Sequence, residues 1–197
     1  MFYRELQSST REVVDFSNRQ LGGGEAQVVI RHCFPGLQVN ECYENVRKVV
    51  GLFRGEMVCG WHIRAFANLF LEAEAHAVWR EPTKGMLLDV TPSGDVFEEK
   101  RLLFIPDRRI QWVEGESTPI ASRFYILCKE PRVERLIALQ QRRQALVQQA
   151  NVRTAFGEAS VLPPEAERLD RDIEELLLDI VKSGLCDLGT ILPGRSF

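Results

Sequence analysis

The 197-residue chain has no long apolar run; none approaches the roughly 20 residues that crossing a bilayer requires. It lacks a basic excess: 25 Lys+Arg against 28 Asp+Glu give a formal net charge of −3, which argues against a dedicated nucleic-acid binder. The opening Met1-Phe2-Tyr3-Arg4-Glu5 lacks the basic-then-apolar order of a signal peptide, so a cytoplasmic protein with no membrane partner is expected. There is no internal repeat. There is also no even, regularly spaced set of cysteines; the five that occur, Cys33, Cys42, Cys59, Cys128 and Cys186, do not read as a disulfide framework. They stand as structural thiols, metal ligands or a nucleophile. What remains is an ordinary globular composition, 45% hydrophobic and 27% charged, long enough to bury a sizeable core.

Hydrophobic spacing predicts an amphipathic helix over 2–19, carried by Phe2, Leu6, Val13 and Phe16 and ended by Leu21-Gly22-Gly23-Gly24. Gln27 to Ile30 reads as a short strand or helical turn. A second helix is expected over 41–53, with Asn40 as N-cap, an apolar face of Val46, Val49, Val50 and Phe53, and Cys42 in its first turn. Strands are expected over 57–66, 73–79, 86–90 and 101–105, with weaker candidates at 110–113 and 123–128. Pro82-Thr83-Lys84-Gly85 should join the second and third as an antiparallel hairpin. The C-terminal third turns helical. A basic helix follows Pro131, a loop covers 151–164, and an acidic helix runs over 165–182 to a cap at Gly184; together they predict a helical hairpin with complementary rims. The expected organisation is an α+β core over 1–130, helices packed on an antiparallel sheet of four or five strands. A C-terminal helical hairpin and tail over 131–197 would serve as lid, brace or homodimer surface.

One constellation could carry chemistry. Cys42 opens a helix, where unpaired backbone N–H groups and the helix dipole favour a thiolate. His76 lies on a strand and Asp89 on the next. In the hairpin centred near residue 83, position 76 pairs with about 90 or 91, which puts Asp89 within two residues of direct pairing. A carboxylate there would hold the imidazole in one tautomer while its other nitrogen addresses the thiol. The oxyanion hole would come from the Cys42 backbone N–H and a side-chain amide of Gln38 or Asn40. Gln38 is preferred because Asn40 is engaged as N-cap. Trp61 and Glu74 are candidate substrate-binding residues; Trp61 also reads as a core aromatic and Glu74 as a solvent-facing carboxylate on the His76 face. Arg64 and Arg123 could meet a substrate carboxylate. Asp95 is a lesser alternative to Asp89.

This order of residues resembles the transglutaminase-like cysteine enzymes of the papain-like superfamily. Cys42-Tyr43-Glu44-Asn45 and His76 followed by Leu88-Asp89-Val90 are similar to the corresponding pieces of arylamine N-acetyltransferases. The wider set Gly60-Trp61, Glu74-Ala75-His76-Ala77-Val78-Trp79, Asp89-Val90-Thr91-Pro92 and Phe104-Ile105-Pro106-Asp107 looks most like uncharacterised bacterial and phage proteins of that type. The family's resemblance covers about 38–92 and implies a trimmed papain-like core, since the interval between Cys42 and His76 is short. The acetyltransferases carry Arg-Gly-Gly before the Cys and Gly-Phe-Gly after the Asp. Here the flanks are Gln38-Val39-Asn40-Glu41 and Thr91-Pro92-Ser93, so no coenzyme A and no other cofactor is expected.

The expected function is a cysteine-dependent hydrolase or acyltransferase that acts on an amide, isopeptide or thioester of a protein or small molecule. Two alternatives stand beside it. One is a non-catalytic interaction protein on a degenerate scaffold, working through its C-terminal helices. The other is a small zinc protein using Cys59-Gly60-Trp61-His62 with His32-Cys33, although odd spacing on a strand sends Cys59 and His62 to opposite faces. Cys128 and Cys186 are expected to be core thiols.

Overall fold

The computed structural model describes residues 3–92, 100–113, 120–155 and 163–185, with backbone alone over 148–155. The chain is mixed α+β. Its strands are β1 (Tyr3–Glu5), β2 (Gln27–Arg31), β3 (Glu56–Phe66), β4 (Phe70–Arg80), β5 (Leu87–Asp89), β6 (Arg101–Pro106) and β7 (Arg123–Ile126). Its helices are α1 (Arg11–Phe16, continued by one π-helical turn over Ser17–Leu21), α2 (Cys42–Phe53), α3 (Pro131–Ala155) and α4 (Pro164–Lys182). Two compact units are present, one formed by Glu5–Ala65 with Glu72–Glu116, the other by Met1–Arg4, Phe66–Leu71 and Ser117–Phe197. No helix among the described residues is long and apolar enough to cross a membrane.

In the first unit five strands close on themselves. Their order is β3-β6-β2-β5-β4, and a further β4–β3 pairing shuts the ring. Closure removes the unpaired edges that an open sheet of this size would expose. The expected all-antiparallel sheet is corrected at one seam: β2 runs parallel to β5, with Ile30 opposite Leu88 and Arg31 opposite Asp89. The residues between β2 and β5 include α2 and a hairpin, which gives the chain the length a parallel return needs.

The registers sort side chains into two faces, because alternate residues of a strand point opposite ways. Val29, Val78, Leu102 and Phe104 meet on one face as a buried cluster, with Val58 and Leu87 packed against it. By the same alternation, and through the pairs Arg31–Asp89 and His62–Phe104, the residues Arg31, His62, His76 and Asp89 share that face. One face of the ring is therefore apolar along part of its length and ionisable along the rest.

Helix α2 covers the other face. Val46 and Val49, each at most 1% exposed, pack with Ala77, Trp79 and Val90. Burying each valine contributes about 2 kcal/mol. Gly60 lets β3 and β6 approach closely; a Cβ there would stand 2.2 Å from the Ile105 carbonyl oxygen. The β4–β5 turn is fastened as its sequence requires. Gly85 takes φ +70°, and the Glu81 carboxylate accepts the backbone N–H groups of Thr83 and Lys84.

The N-terminal segment departs from the expected single helix over 2–19. Tyr3–Glu5 is a strand, and the helix starts only at Arg11, where the Thr10 hydroxyl accepts the Val13 N–H. Of the apolar residues on which that helix was expected, Val13 and Phe16 lie in α1, Leu6 lies in neither element, and Phe2 lies outside the described residues. Residues 110–113 form no strand, and α3 runs to Ala155, into the expected loop.

In the second unit α3 and α4 pack through Val133, Leu136, Ile137, Leu176, Leu177 and Ile180, joined by Phe66, Leu69 and Phe70 from the β3–β4 turn. Cys128 lies partly buried against this cluster. The rims pair as their charges predict: Arg132 with Asp179 at 3.0 Å, Arg142 with Glu165 and Arg143 with Asp170. Cys186, Asp95 and the end of the turn after Asp89 lie outside the described residues.

Candidate active site

The site is assembled around Asp89, whose side chain has no solvent exposure. In the β4–β5 register Trp79 faces Leu88, so Asp89 stands opposite Val78 and diagonal to His76 on the same face. The expected pairing was right to within a residue, and the diagonal offset is what brings the two side chains together. His76 Nε2 lies 3.1 Å from Asp89 Oδ1, an atom that also accepts the Thr91 backbone N–H at 3.0 Å. Asp89 Oδ2 accepts a hydrogen bond from Arg31 Nε at 2.8 Å across the parallel β2–β5 seam.

Cys42 begins α2 and is buried, 8% exposed. Its thiol lies close enough to His76 to help raise the imidazole pKa. Because Nε2 is turned to Asp89, Nδ1 is the ring nitrogen left for the thiol. Thiol, imidazole and carboxylate thus neighbour one another in that order, with His76 3.1 Å from Asp89.

The charges reinforce each other. Burial alone would push the His76 pKa down, but Cys42 and Asp89 outweigh it and hold the imidazole well above its usual value. Burial would raise Asp89; His76 and Arg31 overcome that and bring it down to about 2. Arg31 is itself 8% exposed in its side chain, and its second neighbour is Glu5 at 4.0 Å.

A second ring stands beside the first. His62 lies with its centroid 5.5 Å from that of His76, and its Nε2 is 2.6 Å from Glu5 Oε2. Arg64 bridges Glu74 at 2.7 Å and Glu72 at 3.5 Å. Burial works against the charge on Glu74, yet Arg64, His62 and His76 bring its pKa below the ordinary carboxylate value; its side chain remains half exposed.

Asn45, fully buried one turn after Cys42, fixes the approach to the helix. Its Nδ2 donates to the Gln38 carbonyl at 2.6 Å, its Oδ1 accepts the Gln38 N–H at 3.0 Å, and Nδ2 also reaches Thr91 Oγ1 at 3.5 Å. The loop before Cys42 and the residues after Asp89 are tied to one side chain.

Three expectations are corrected here. Asn40 is not the N-cap: Glu41 occupies that position without a side-chain cap bond, and Asn40 is an exposed residue at φ +65°. The ground for preferring Gln38 as amide donor therefore falls away, and Gln38 enters the site region through its backbone. Trp61 is 3% exposed and donates its indole N–H to Asp107 Oδ2 at 2.9 Å, which removes it from any substrate surface. Among the described residues no three His, Cys, Asp or Glu side chains gather as metal ligands, and His62 is turned to Glu5 rather than to Cys59.

The residues sequence reasoning missed are Arg31, Glu5, His62 as a neighbour of His76, Asn45 as a clamp, and Tyr43. Arg31 and Glu5 carried no local signal. Asn45 lay within the quoted Cys42–Asn45 motif, three positions after Cys42 and so on the same side of the helix. No protein-family model, curated protein or solved structure matches the chain.

Proposed function

We propose that the protein is a cysteine-dependent hydrolase or acyltransferase on a trimmed papain-like, transglutaminase-like core. The observation that carries this reading is the His76–Asp89 contact at 3.1 Å, with Asp89 held on its far side by Arg31 and the Cys42 thiol near enough to influence the imidazole. Nucleophile, base and orienting carboxylate occur in the order acyl transfer needs.

In this reading Cys42 passes its proton to His76 and attacks the carbonyl carbon of an amide, isopeptide or thioester. His76 then protonates the leaving amine or thiol, and an acyl-enzyme remains on Cys42. Asp89 offsets the imidazolium charge and keeps Nδ1 aimed at the sulfur. Water or an amine then takes the acyl group. His62, fastened to Glu5 and packed beside His76, supports the buried imidazole without occupying its place.

Iodoacetamide labelling tests the proposal. At pH 6 Cys42 should alkylate at least about 10-fold faster than Cys33, Cys59, Cys128 or Cys186, and His76→Ala should abolish the difference. Equal rates at all five thiols in the wild-type protein would overturn the reading and leave the non-catalytic one.

A further inference from the structure

The next residue after the nucleophile carries the one buried hydroxyl that the fold leaves without a partner among the described residues: Tyr43 Oη. Buried polar groups are nearly always hydrogen-bonded, so an exception in a candidate active site leaves a donor free for a group on a bound substrate.

The ring that carries this hydroxyl is held firmly. It stacks on Trp112 with centroids 6.1 Å apart and planes 6° from parallel. Trp112 lies close to Cys59, whose carbonyl accepts the Asp107 N–H at 3.0 Å. Asp107 is fixed by Trp61 and by Arg109. Burial first, and then the nearness of Cys42, Cys59 and Glu74, raises the Tyr43 pKa, so the hydroxyl stays protonated and can only be a donor to an incoming anion.

We propose that Tyr43 Oη is the side-chain donor of the oxyanion hole, hydrogen-bonding the oxygen of a carbonyl under attack by Cys42. This rests on the cysteine-enzyme reading and completes it, since neither Gln38 nor Asn40 is positioned for the task by a side-chain contact. In the step, the Cys42 sulfur forms a bond to the carbonyl carbon and the C=O π pair moves onto oxygen. Tyr43 holds that oxyanion by a hydrogen bond without giving up its proton. Collapse reforms the C=O bond and expels the leaving group, while His76 carries the proton taken from Cys42. Such a donor acts on the transition state more than on the bound ground state.

The experiment compares wild type and Tyr43→Phe in two reactions of the same thiol. p-Nitrophenyl acetate acylates Cys42 through a tetrahedral oxyanion and releases p-nitrophenolate; iodoacetamide alkylates it by direct displacement, with no oxyanion. The expected result is acylation slowed about 100-fold in single-turnover measurements, with alkylation within about twofold of wild type. The substitution removes one oxygen and keeps the stack on Trp112, so Tm should be unchanged or higher. Acylation unchanged, as when the hydroxyl merely binds water, overturns the proposal. So do equal losses in both reactions, which would place the hydroxyl's effect on the thiol, and a Tm several degrees lower, which would show a partner within the fold. Wild-type protein that alkylates selectively at Cys42 yet is not acylated overturns this proposal alone. Wild type that does neither overturns the cysteine-enzyme reading with it.

Discussion

At the scale of single residues, Asp89 concentrates the energetics of the site. It accepts bonds from Arg31, His76 and the Thr91 backbone while fully buried. A buried ion pair contributes little net stability against an apolar replacement, but removing one partner strands the other charge. Asp89→Asn should therefore cost about 3–5 kcal/mol in urea unfolding, because the buried Arg31 guanidinium loses the carboxylate it meets at 2.8 Å. Arg31→Met combined with Asp89→Asn should recover part of that loss. Strict additivity of the two single effects would refute the coupling.

The contact between His76 and Asp89 was legible because it is local. Pro82–Gly85 announces a turn, and counting outward sets the register to within a residue. Arg31 was not legible: it meets Asp89 across 58 positions, through a parallel pairing that no local pattern encodes. Asn40 illustrates the opposite failure. Its composition suits an N-cap, yet the helix starts one residue later, at Cys42 after Glu41, and Asn40 takes a left-handed conformation in the preceding turn.

At the scale of elements, the β3–β6 seam depends on a missing side chain. Gly60 sits opposite Pro106, and a Cβ would meet the Ile105 carbonyl oxygen at 2.2 Å, the Phe104 ring at 2.6 Å and Pro106 Cα at 2.9 Å. Two of these contacts are backbone, so a rotamer change cannot relieve them. Gly60→Ala should lower the unfolding free energy by at least about 2 kcal/mol, whereas Gly36→Ala, which meets nothing within 4 Å but sits at φ +82°, should cost only about 1 kcal/mol. Equal losses would show that β3 and β6 can part without cost. Helices α2, α3 and α4 were the most legible elements, since their periodicity is long. α4 has Pro164 in its first turn with Glu165 and Glu167, Lys182 in its last turn, and Gly184 at φ +71° just beyond. Strand β1 was illegible because three residues are too few to show alternation.

At the scale of the whole molecule, the composition sets a mild net charge of −3, and the fold decides which carboxylates matter for stability. Asp89 and Asp107 both titrate near 2 in the folded state, below the ordinary aspartate value. Asp89 is lowered against the effect of burial by His76 and Arg31, and Asp107 first by its bonds with Arg109. A carboxylate lowered on folding adds stability above its unfolded pKa and loses it as pH falls through the folded one. Stability should therefore drop between about pH 4 and pH 2, with Asp89 supplying roughly 2 kcal/mol of the change. His76 has the opposite sign: its raised value stabilises the fold fully below its unfolded pKa and ceases to do so as pH rises through the folded one. Chemical unfolding measured from pH 2 to pH 8 checks this, and a flat profile between pH 4 and pH 2 would contradict it.

The sequence by itself determined helices α2, α3 and α4, the β4–β5 hairpin, the charge-matched rims of α3 and α4, and the candidate trio of Cys42, His76 and Asp89. All of these follow from periodicity, turn chemistry or short separations along the chain. Only the tertiary structure decided that the strands close into a ring, that β2 returns parallel to β5 and so delivers Arg31 to Asp89, that Trp61 is spent on Asp107, and that the Tyr43 hydroxyl is left without a partner among the described residues. Those outcomes depend on contacts between residues far apart in the chain. Their energies become available only once the intervening loops have closed, and no window of sequence contains both partners.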